Sequence, residues 1–397
     1  MLFRKIYDRS GIPSVPPFLQ PILFAIVFSG VLGDGFARDP ANEGQSLLFM
    51  GDEAGYLNRI ESMRNEKGLY LDRRSDPSVV STAATGLGVL ALAEATSRGL
   101  RDHAATTRIV RCAFEQTVNS NSERNRGWLS HFTDASGSPK NSSEVSTIDT
   151  AIFYSGLLQA SRLLNDPALE AEIRESLNRI DVPFVTRNGI FLHGFYWNGA
   201  SIQSPDETTQ LDKKDGSDAP QFIPHLWNDS SEGVILYHLF GLPFPMEITR
   251  TDYPLFVYAY PLCFFDDPVY DQFLREAIEG QIARLGYWGV TATDGPNGYV
   301  TFDSEVISPV LIGGIATKYP KYLEPLKSMN IEATSGSMHL PSGWKSSDDL
   351  TIDLSSAYIL FSRWSRQIIE VQKSIHIRHE DLPSETQPIS NLDAVAT

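Results

Sequence analysis

The stretch STAATGLGVLALAEA, Ser81 to Ala95, decides the fold class. Its apolar residues recur with helical spacing. Small residues on the apolar face would let neighbouring backbones approach closely: Ala83, Ala84, Gly86, Gly88 and Ala91. A helix of this kind belongs inside a two-layer arrangement, where it has neighbours on more than one side.

Segments with the same helical spacing follow one another along the chain, separated by loops rich in Gly, Pro, Asn and Asp. The clearer ones are Ser46–Arg64, Val79–Arg98, Ala104–Val118, Val145–Leu164, Ala168–Ile180, Ser230–Leu239, Pro268–Arg284, Pro309–Lys318 and Leu354–Val371. Strand-like alternation is confined to Gly189–Trp197, which indicates a short β-hairpin. The helical spacing of apolar residues along the chain predicts an all-α protein of roughly ten helices.

Residues 1–37 read as an export signal. Arg4, Lys5 and Arg9 precede an apolar run, Ile22–Gly33, and the small-residue pattern that ends at Ala37. The apolar run is shorter than the ~18 residues of a membrane-spanning helix. Cleavage after Ala37, with no stable membrane insertion and a periplasmic or secreted product, is therefore favoured over an uncleaved anchor.

No internal linker divides the chain between the signal and residue 372, so residues 38–372 are expected to form one domain. A long polar stretch, Asn198–Phe222, is expected to be a functional or mobile loop beside a cleft. Residues 373–397 carry no clear periodicity and are expected to form a disordered tail.

The 397-residue chain carries a formal charge of −16, which argues against nucleic acid as a partner because a polyanion would be repelled. A neutral ligand such as a sugar would be indifferent to this charge. Cys112 and Cys263 are too few for a disulfide framework; two buried free thiols are favoured, and one bridge stays open. The eight histidines show no metal-ligand spacing, and no nucleotide-binding motif occurs, so no metal or other cofactor is expected.

Three motifs place a carboxylate beside a turn and beside aromatic or glycine residues: STIDTAIF (146–153), WNDSSEG (227–233) and YWGVTATDGPNGY (287–299). Their central acids are Asp149, Glu232 and Asp294. Each has a purely structural alternative. Asp149 and Glu232 fit capping boxes, with Ser146 and Asp229 as the respective N-caps, and Asp294 fits a turn.

Aromatic and histidine side chains near these acids are candidates for binding a sugar, since a flat ring can stack on a pyranose. Trp227 and His225 precede Glu232, and Trp288 and Tyr299 flank Asp294. Tyr260 lies in the tyrosine-rich run TDYPLFVYAYP (251–261), which core packing explains equally well. An aromatic beside a carboxylic acid also raises its pKa, whereas a helix N-terminus lowers it.

With these motifs in place, the chain resembles the glycoamylase-like glycoside hydrolases, which include bacterial endo-β-1,2-glucanases and the related domain of cyclic β-1,2-glucan synthases. The resemblance covers roughly residues 45–370. It rests on the order of the blocks GLGVLALAEA (86–95), GWLSHFTDASG (127–137), STIDTAIFYSGLLQA (146–160), LWNDSSEGVILYHLFGLP (226–243), PLFVYAYP (254–261), WGVTATDGPNGY (288–299) and Ser308-Pro309.

The resemblance implies an (α/α)6 toroid, a double ring of helices with a glycan cleft at one end. It places the proton donor on Glu232 and two further carboxylates on Asp149 and Asp294, and we expect His131 of the second block to contact substrate. The resulting hypothesis is a monomeric glycoside hydrolase that cleaves a β-linked glucan, β-1,2-glucan favoured, with Asp149 or Asp294 as the second carboxylate. The alternatives are a polysaccharide lyase, which the acidic composition disfavours, and a catalytically silent glycan-binding toroid.

Overall fold

The chain contains buried helices and helices that face solvent on one side. A computed structural model describes residues 52–120, 125–140, 143–197, 219–329, 331 and 336–380. Within these residues there are ten α-helices: α1 (Glu53–Ser62), α2 (Thr82–Ser97), α3 (His103–Ser120), α4 (Thr147–Leu163), α5 (Pro167–Asn178), α6 (Val234–Phe240), α7 (Phe256–Phe264), α8 (Pro268–Leu285), α9 (Pro309–Ala316) and α10 (Thr351–Glu380). The predicted export signal and most of the predicted long loop lie outside the described residues.

The buried helices form an inner layer. Every residue of α2 from Thr82 to Ala95 is buried, as is all of α9. Helix α2 packs against α4 and α10, α4 against α6, and α9 against α10. The prediction that the stretch from Ser81 to Ala95 lies inside a two-layer arrangement is confirmed.

The remaining long helices form an outer layer. Helix α3 buries residues at helical spacing, from Thr106 to Thr117, and packs on α2; α5 packs on α4 and α8 on α7. A helix with one apolar stripe covers the inner layer with that stripe and leaves its polar face in water.

Two glycines allow the closest contact of the inner layer, between α2 and α4. A Cβ added at Gly86 would lie 2.4 Å from the Cα of Phe153, and one added at Gly156 would lie 2.2 Å from the backbone oxygen of Gly86. No side chain fits in either position, so the backbones touch directly.

Short antiparallel strands gather at the N-terminal ends of the inner helices. They are β1 (Val80–Ser81), β2 (Leu129–Ser130), β3 (Phe132–Thr133), β4 (Val145–Ser146), β5 (Thr186–Arg187), β6 (Ile190–Tyr196), β7 (Gln221–Leu226), β8 (Thr293–Gly295), β9 (Gly298–Val300), β10 (Val306–Ile307), β11 (Met338–His339) and β12 (Trp344–Lys345). The largest sheet has the order β2-β4-β6-β5, with β7 also paired to β6. Strand β6 is the predicted alternating segment.

Three inner helices begin in the same way, because a two-residue strand leads into a serine N-cap. Ser81 caps α2, Ser146 caps α4 and Ser308 caps α9, each by accepting a backbone N–H with its hydroxyl. Strand β1 pairs with β3, and β2 pairs with β4. These pairings hold the starts of α2 and α4 at one end of the molecule.

Residues from the N-terminal part of the described chain contact the residues just before α10. The Asp349 carboxylate accepts from Arg59 of α1 at 2.6 Å and from Arg74 at 2.5 Å, and Arg73 forms a β-bridge with Leu350. These contacts hold residues 59–74 against residues 349 and 350.

Most helix predictions are confirmed to within three residues, and three are corrected. The helix predicted from Ser46 begins at Glu53, after the N-cap Asp52, and residues 46–51 lie outside the described residues. The helix predicted from Ser230 begins at Val234. The final helix begins at Thr351 and continues to Glu380, so the first eight residues of the predicted tail at 373–397 are helical and the rest lie outside the described residues. Helix α7 was not predicted as a helix.

The two cysteines are free, Cys112 exposed on α3 and Cys263 buried on α7, so the expectation that both thiols are buried is wrong for Cys112. No helix in the described part of the chain combines the length and the apolar composition needed to cross a membrane.

Candidate active site

Carboxylates collect at the N-terminal ends of the inner helices. Glu232 lies in the turn before α6, Asp149 is the third residue of α4 and Asp294 lies on β8. Two further acids that the sequence did not single out lie at the same end: Asp72 before β1, and Asp353 as the third residue of α10.

The turn that carries Glu232 is held by hydrogen bonds on both sides. Its first residue, Trp227, donates its N–H to Phe191 of β6 at 2.9 Å, and Tyr237 of α6 donates its hydroxyl to the Trp227 oxygen at 2.8 Å. Tyr270 of α8 donates to the backbone oxygen of Ser231 at 2.7 Å. Glu232 is thus presented by a segment fixed to three different elements.

Burial sets the protonation state of Glu232. It raises the pKa of the Glu232 carboxyl to about 7, and the charges of Asp229 and Asp149 add to the rise, against one backbone hydrogen bond that lowers it. The side chain nevertheless keeps some accessible surface. A carboxyl that is desolvated and still partly accessible can hold a proton near neutral pH and donate it to a bound substrate.

The predicted cap formed by Asp229 and Glu232 is wrong. Gly233 is the N-cap of α6, with no side-chain hydrogen bond, and Asp229 instead accepts from the hydroxyl of Tyr253 at 2.6 Å. The partner of Asp229 is distant in sequence, and local spacing could not indicate it.

The predicted capping arrangement at the start of α4 is confirmed in part. The Ser146 hydroxyl accepts the Asp149 N–H at 3.2 Å and donates to the Asp149 carboxylate. Asp149 is 7% exposed, and burial raises the pKa of its carboxyl, an effect that nearby His131 opposes. Asp149 therefore has a structural role at the helix start, and its charge also contributes to the raised pKa of Glu232.

Asp294 forms an ion pair across the site. Arg73 donates to it at 3.0 Å and also contacts Asp72 at 3.3 Å. The hairpin of β8 and β9 carries Asp294, so the predicted turn interpretation is correct for the residues that follow it and incomplete for Asp294 itself.

Asp353 is the most deeply buried of these acids, at 2% exposed. Burial raises the pKa of its carboxyl to about 8; a hydrogen bond from Thr293 at 3.1 Å lowers it, while Asp294 and Asp72 raise it further. A sequence signal for it exists, because α4 and α10 both begin with Thr-Ile-Asp. The repeat places Asp149 and Asp353 at equivalent helical positions.

Two of the predicted sugar-binding aromatics are buried structural residues. Trp288 is fully buried and donates to the Tyr322 oxygen at 2.7 Å. Trp227 is 6% exposed, donates to the Thr147 hydroxyl at 3.1 Å and stacks on His193 at 3.8 Å. Neither indole has a free face for a sugar ring, so the prediction that they stack on substrate is wrong.

The other predicted binding residues are placed differently. Tyr260 is 5% exposed and lies between acids of the site, since the charges of both Asp353 and Glu232 add to the burial that raises the pKa of its phenol. His225 is exposed on β7. Tyr299 is 54% exposed on β9, yet burial raises the pKa of its hydroxyl and the charges of Asp353 and Asp72 add to this. Tyr299 is therefore an exposed aromatic side chain close to the acids of the site.

Among the described side chains of the site, carboxylates outnumber cations. Among the described residues, no group of three or more His, Cys, Asp or Glu side chains has the geometry of a metal site. Arg73 is paired with Asp294 and Asp72. The arrangement can supply a protonated acid, an ionised carboxylate and an aromatic side chain at one end of the molecule.

Comparison with known proteins identifies the fold. No protein-family model matches the chain, and no curated protein matches it in sequence. Solved structures do match. A glucoamylase candidate from Bacteroides uniformis shares 15% identity over 84% of this chain and 93% of that chain, with a TM-score of 0.61. The β-1,2-glucanase from Parabacteroides distasonis shares 16% identity over 84% of this chain and 60% of that chain, with a TM-score of 0.60.

A third match is the endo-β-1,2-glucanase from Chitinophaga pinensis, solved with sophorotriose and glucose. It shares 15% identity over 82% of this chain and 92% of that chain, with a TM-score of 0.56. At these identities the likeness establishes a common fold, and the resemblance predicted from the sequence blocks is confirmed at that level.

Proposed function

We propose that the protein is an exported glycoside hydrolase that cleaves a β-linked glucan, with β-1,2-linked chains favoured, in the cleft of an (α/α)6 toroid. The observation that carries the proposal is the proximity of two carboxyls from separate elements: Glu232 in the turn before α6, and Asp149 in the first turn of α4, whose charge raises the pKa of Glu232. The fold supports it, because solved proteins of this fold include endo-β-1,2-glucanases.

Glu232 is the general acid in this proposal. The bond between the anomeric carbon and the leaving oxygen breaks as that oxygen takes the Glu232 proton. The turn from Trp227 to Gly233 fixes the acid in place, and burial keeps it protonated near neutral pH. Positioning and protonation are the two properties that a general acid needs.

Asp149 is the partner carboxylate in this proposal, and Asp294 is a supporting one. The charge of Asp149 acts directly on Glu232, whereas Asp294 is engaged by the guanidinium of Arg73. The partner stabilises positive charge at the anomeric carbon and receives a proton from the attacking water, or attacks that carbon itself if the reaction retains configuration.

The charge of the cleft favours a neutral substrate. Arg73 and His131 both face carboxylates, so neither is a ready counter-ion for a uronate. A polysaccharide lyase needs such a counter-ion, and an anionic glycan would be repelled here. A neutral glucan meets no such penalty.

Product analysis on a panel of α-1,4-, β-1,2-, β-1,3- and β-1,4-linked glucans tests the proposal. We expect oligosaccharides from the β-1,2-linked chain, and proton NMR of the first product anomer then distinguishes inversion from retention. Failure to cleave any β-glucan would refute the proposal.

The Glu232→Gln variant tests the assignment of the acid. It should lose at least about 100-fold in kcat, because general acid catalysis contributes roughly 10²–10⁴-fold, while circular dichroism shows an unchanged fold. Glu172→Gln, a control at an exposed carboxylate of α5, should keep wild-type activity. Full activity of the Glu232 variant would remove this residue from the mechanism.

A further inference from the structure

The backbone of His131 is tied to the starts of two inner helices. Its N–H donates to the backbone oxygen of Glu144, the residue before β4, at 2.9 Å, and its own oxygen accepts from the N–H of Thr82 at the start of α2 at 3.0 Å. The ring stacks on Phe132 with centroids 3.7 Å apart. The imidazole therefore has little freedom to turn.

Both ring nitrogens of His131 face carboxylates. Nδ1 lies 2.6 Å from the carboxylate of Glu144, and Nε2 lies 3.6 Å from that of Asp149. A neutral imidazole carries one N–H and would point a lone pair at one of these two anions, whereas the imidazolium directs an N–H at each. The geometry thus selects the charged form.

The electrostatic surroundings agree with this geometry. Burial opposes the charge on His131, but the carboxylates of Asp149, Glu144 and Asp72 outweigh it and raise the pKa of the imidazole to about 9. In return, although burial acts in the opposite direction, the hydrogen bond and charge of His131 lower the pKa of Glu144. Asp72 also contacts the guanidinium of Arg73, a second cation near this group of acids.

We propose that His131 is a positioning residue: an imidazolium, oriented by Glu144, that keeps Asp149 ionised and fixes the direction of its carboxylate. This inference rests on the proposed function for its kinetic consequence, and on the structure alone for the charge state. It replaces the expectation that His131 binds substrate, because both of its nitrogens already face protein acceptors.

The consequence for Asp149 follows from its burial. Burial raises the pKa of Asp149 even with the imidazolium beside it, and the charge of Glu144 adds to that rise. Without the positive charge, Asp149 would be protonated at a higher pH and could no longer accept a proton from water. Ser146 and His131 engage one oxygen each, which leaves further lone pairs of the carboxylate for the reaction.

NMR of the full-length protein labelled with ¹⁵N-histidine tests the charge state without reference to activity. At neutral pH both ring nitrogens of His131 should show protonated shifts, with titration near about pH 9. Glu144→Gln should move that titration to lower pH. A neutral imidazole at pH 7 in the wild-type protein would overturn the proposal.

Kinetics test the positioning role. His131→Gln should lower kcat by roughly 10- to 100-fold with a smaller change in KM, and should move the acidic limb of the kcat/KM profile to higher pH, because Asp149 then titrates higher. Glu144→Gln should show a weaker form of the same shift. An acidic limb that stays in place in His131→Gln would overturn the role.

The control is His103→Gln, a histidine at the start of α3 whose ring contacts the backbone oxygen of Leu164 at 2.8 Å. It should leave the pH profile unchanged. If the wild-type protein cleaves no glucan, the proposed function fails, and the NMR titration still decides the charge state of His131.

Discussion

At the scale of single residues, the surroundings of Glu232 define its chemistry. Burial raises the pKa of its carboxyl to about 7, and the charges of two neighbouring carboxylates add to the rise. A general acid must be protonated to act, so kcat/KM should fall as the pH rises above about 7.

Asp229 provides a direct test of this account. Asp229→Asn removes one negative charge near Glu232 and keeps an acceptor for the Tyr253 hydroxyl. The alkaline limb of the kcat/KM profile should move to lower pH by roughly half a unit to one unit. Asp266→Asn, at an exposed carboxylate that pairs with Arg363 of α10, should leave it in place. If the alkaline limb of Asp229→Asn stays at the wild-type pH, the charge of Asp229 does not raise the pKa of Glu232.

The sequence predicted three of the acids because each stands in a local motif. It did not predict Asp72, Glu144 or Asp353. Glu144 faces His131 and Asp353 lies near Asp294, each more than ten residues away in sequence, and the Thr-Ile-Asp repeat indicates Asp353 only by comparison with Asp149. It also predicted that Trp227 and Trp288 stack on a sugar. Both are buried, and residue type alone does not distinguish an indole that binds substrate from one that packs in the core.

At the scale of helices, the contact between α2 and α4 depends on glycine. Gly156→Ala places a methyl group against the backbone of Gly86, which cannot move without displacing α2. We expect a loss of about 1–3 kcal/mol in the free energy of unfolding, the usual cost of overpacking, measured by urea denaturation.

Gly280→Ala is the matched control. Gly280 lies on the exposed face of α8, and an added Cβ meets nothing within 4 Å. Alanine is better than glycine in a helix by roughly 1 kcal/mol, so this variant should be neutral or more stable. Equal destabilisation by both substitutions would show that the contact between α2 and α4 is not the cause.

Helices were predictable and most strands were not, for a physical reason. A helix of eighteen residues such as α3 repeats its apolar pattern several times, whereas β1 and β4 have two residues each and show no period. Helix α7 was missed because its run of aromatic residues is buried throughout Val257–Phe264 and shows no polar face.

At the scale of the whole molecule, the buried acids make stability depend on pH. Asp353 has a raised pKa of about 8 in the folded chain, so the native state keeps a proton that the unfolded chain loses from about pH 4 upward. Its contribution to stability falls as the pH rises through this window. His131, with its pKa raised to about 9, also loses its contribution as the pH rises from about 6.5 to 9.

Asp353→Asn should therefore raise the free energy of unfolding more at about pH 9 than at about pH 5. Asparagine avoids the buried charge and can still accept from Thr293, so we expect a gain on the order of 1–3 kcal/mol at the higher pH. Urea denaturation at both pH values measures it, with Glu172→Gln as the surface control. If the free energy of unfolding depends on pH in the same way in the wild-type protein and in Asp353→Asn, the Asp353 carboxyl is not a source of that dependence.

The contact of Asp349 with Arg59 and Arg74 has a consequence for how the chain is made. The partners are 290 and 275 residues apart, and α10, which covers α2, is translated last among the described elements. A nascent chain that has just released α2 from the ribosome has no α10 to cover it, so the final packing of α2 waits until α10 has been synthesised.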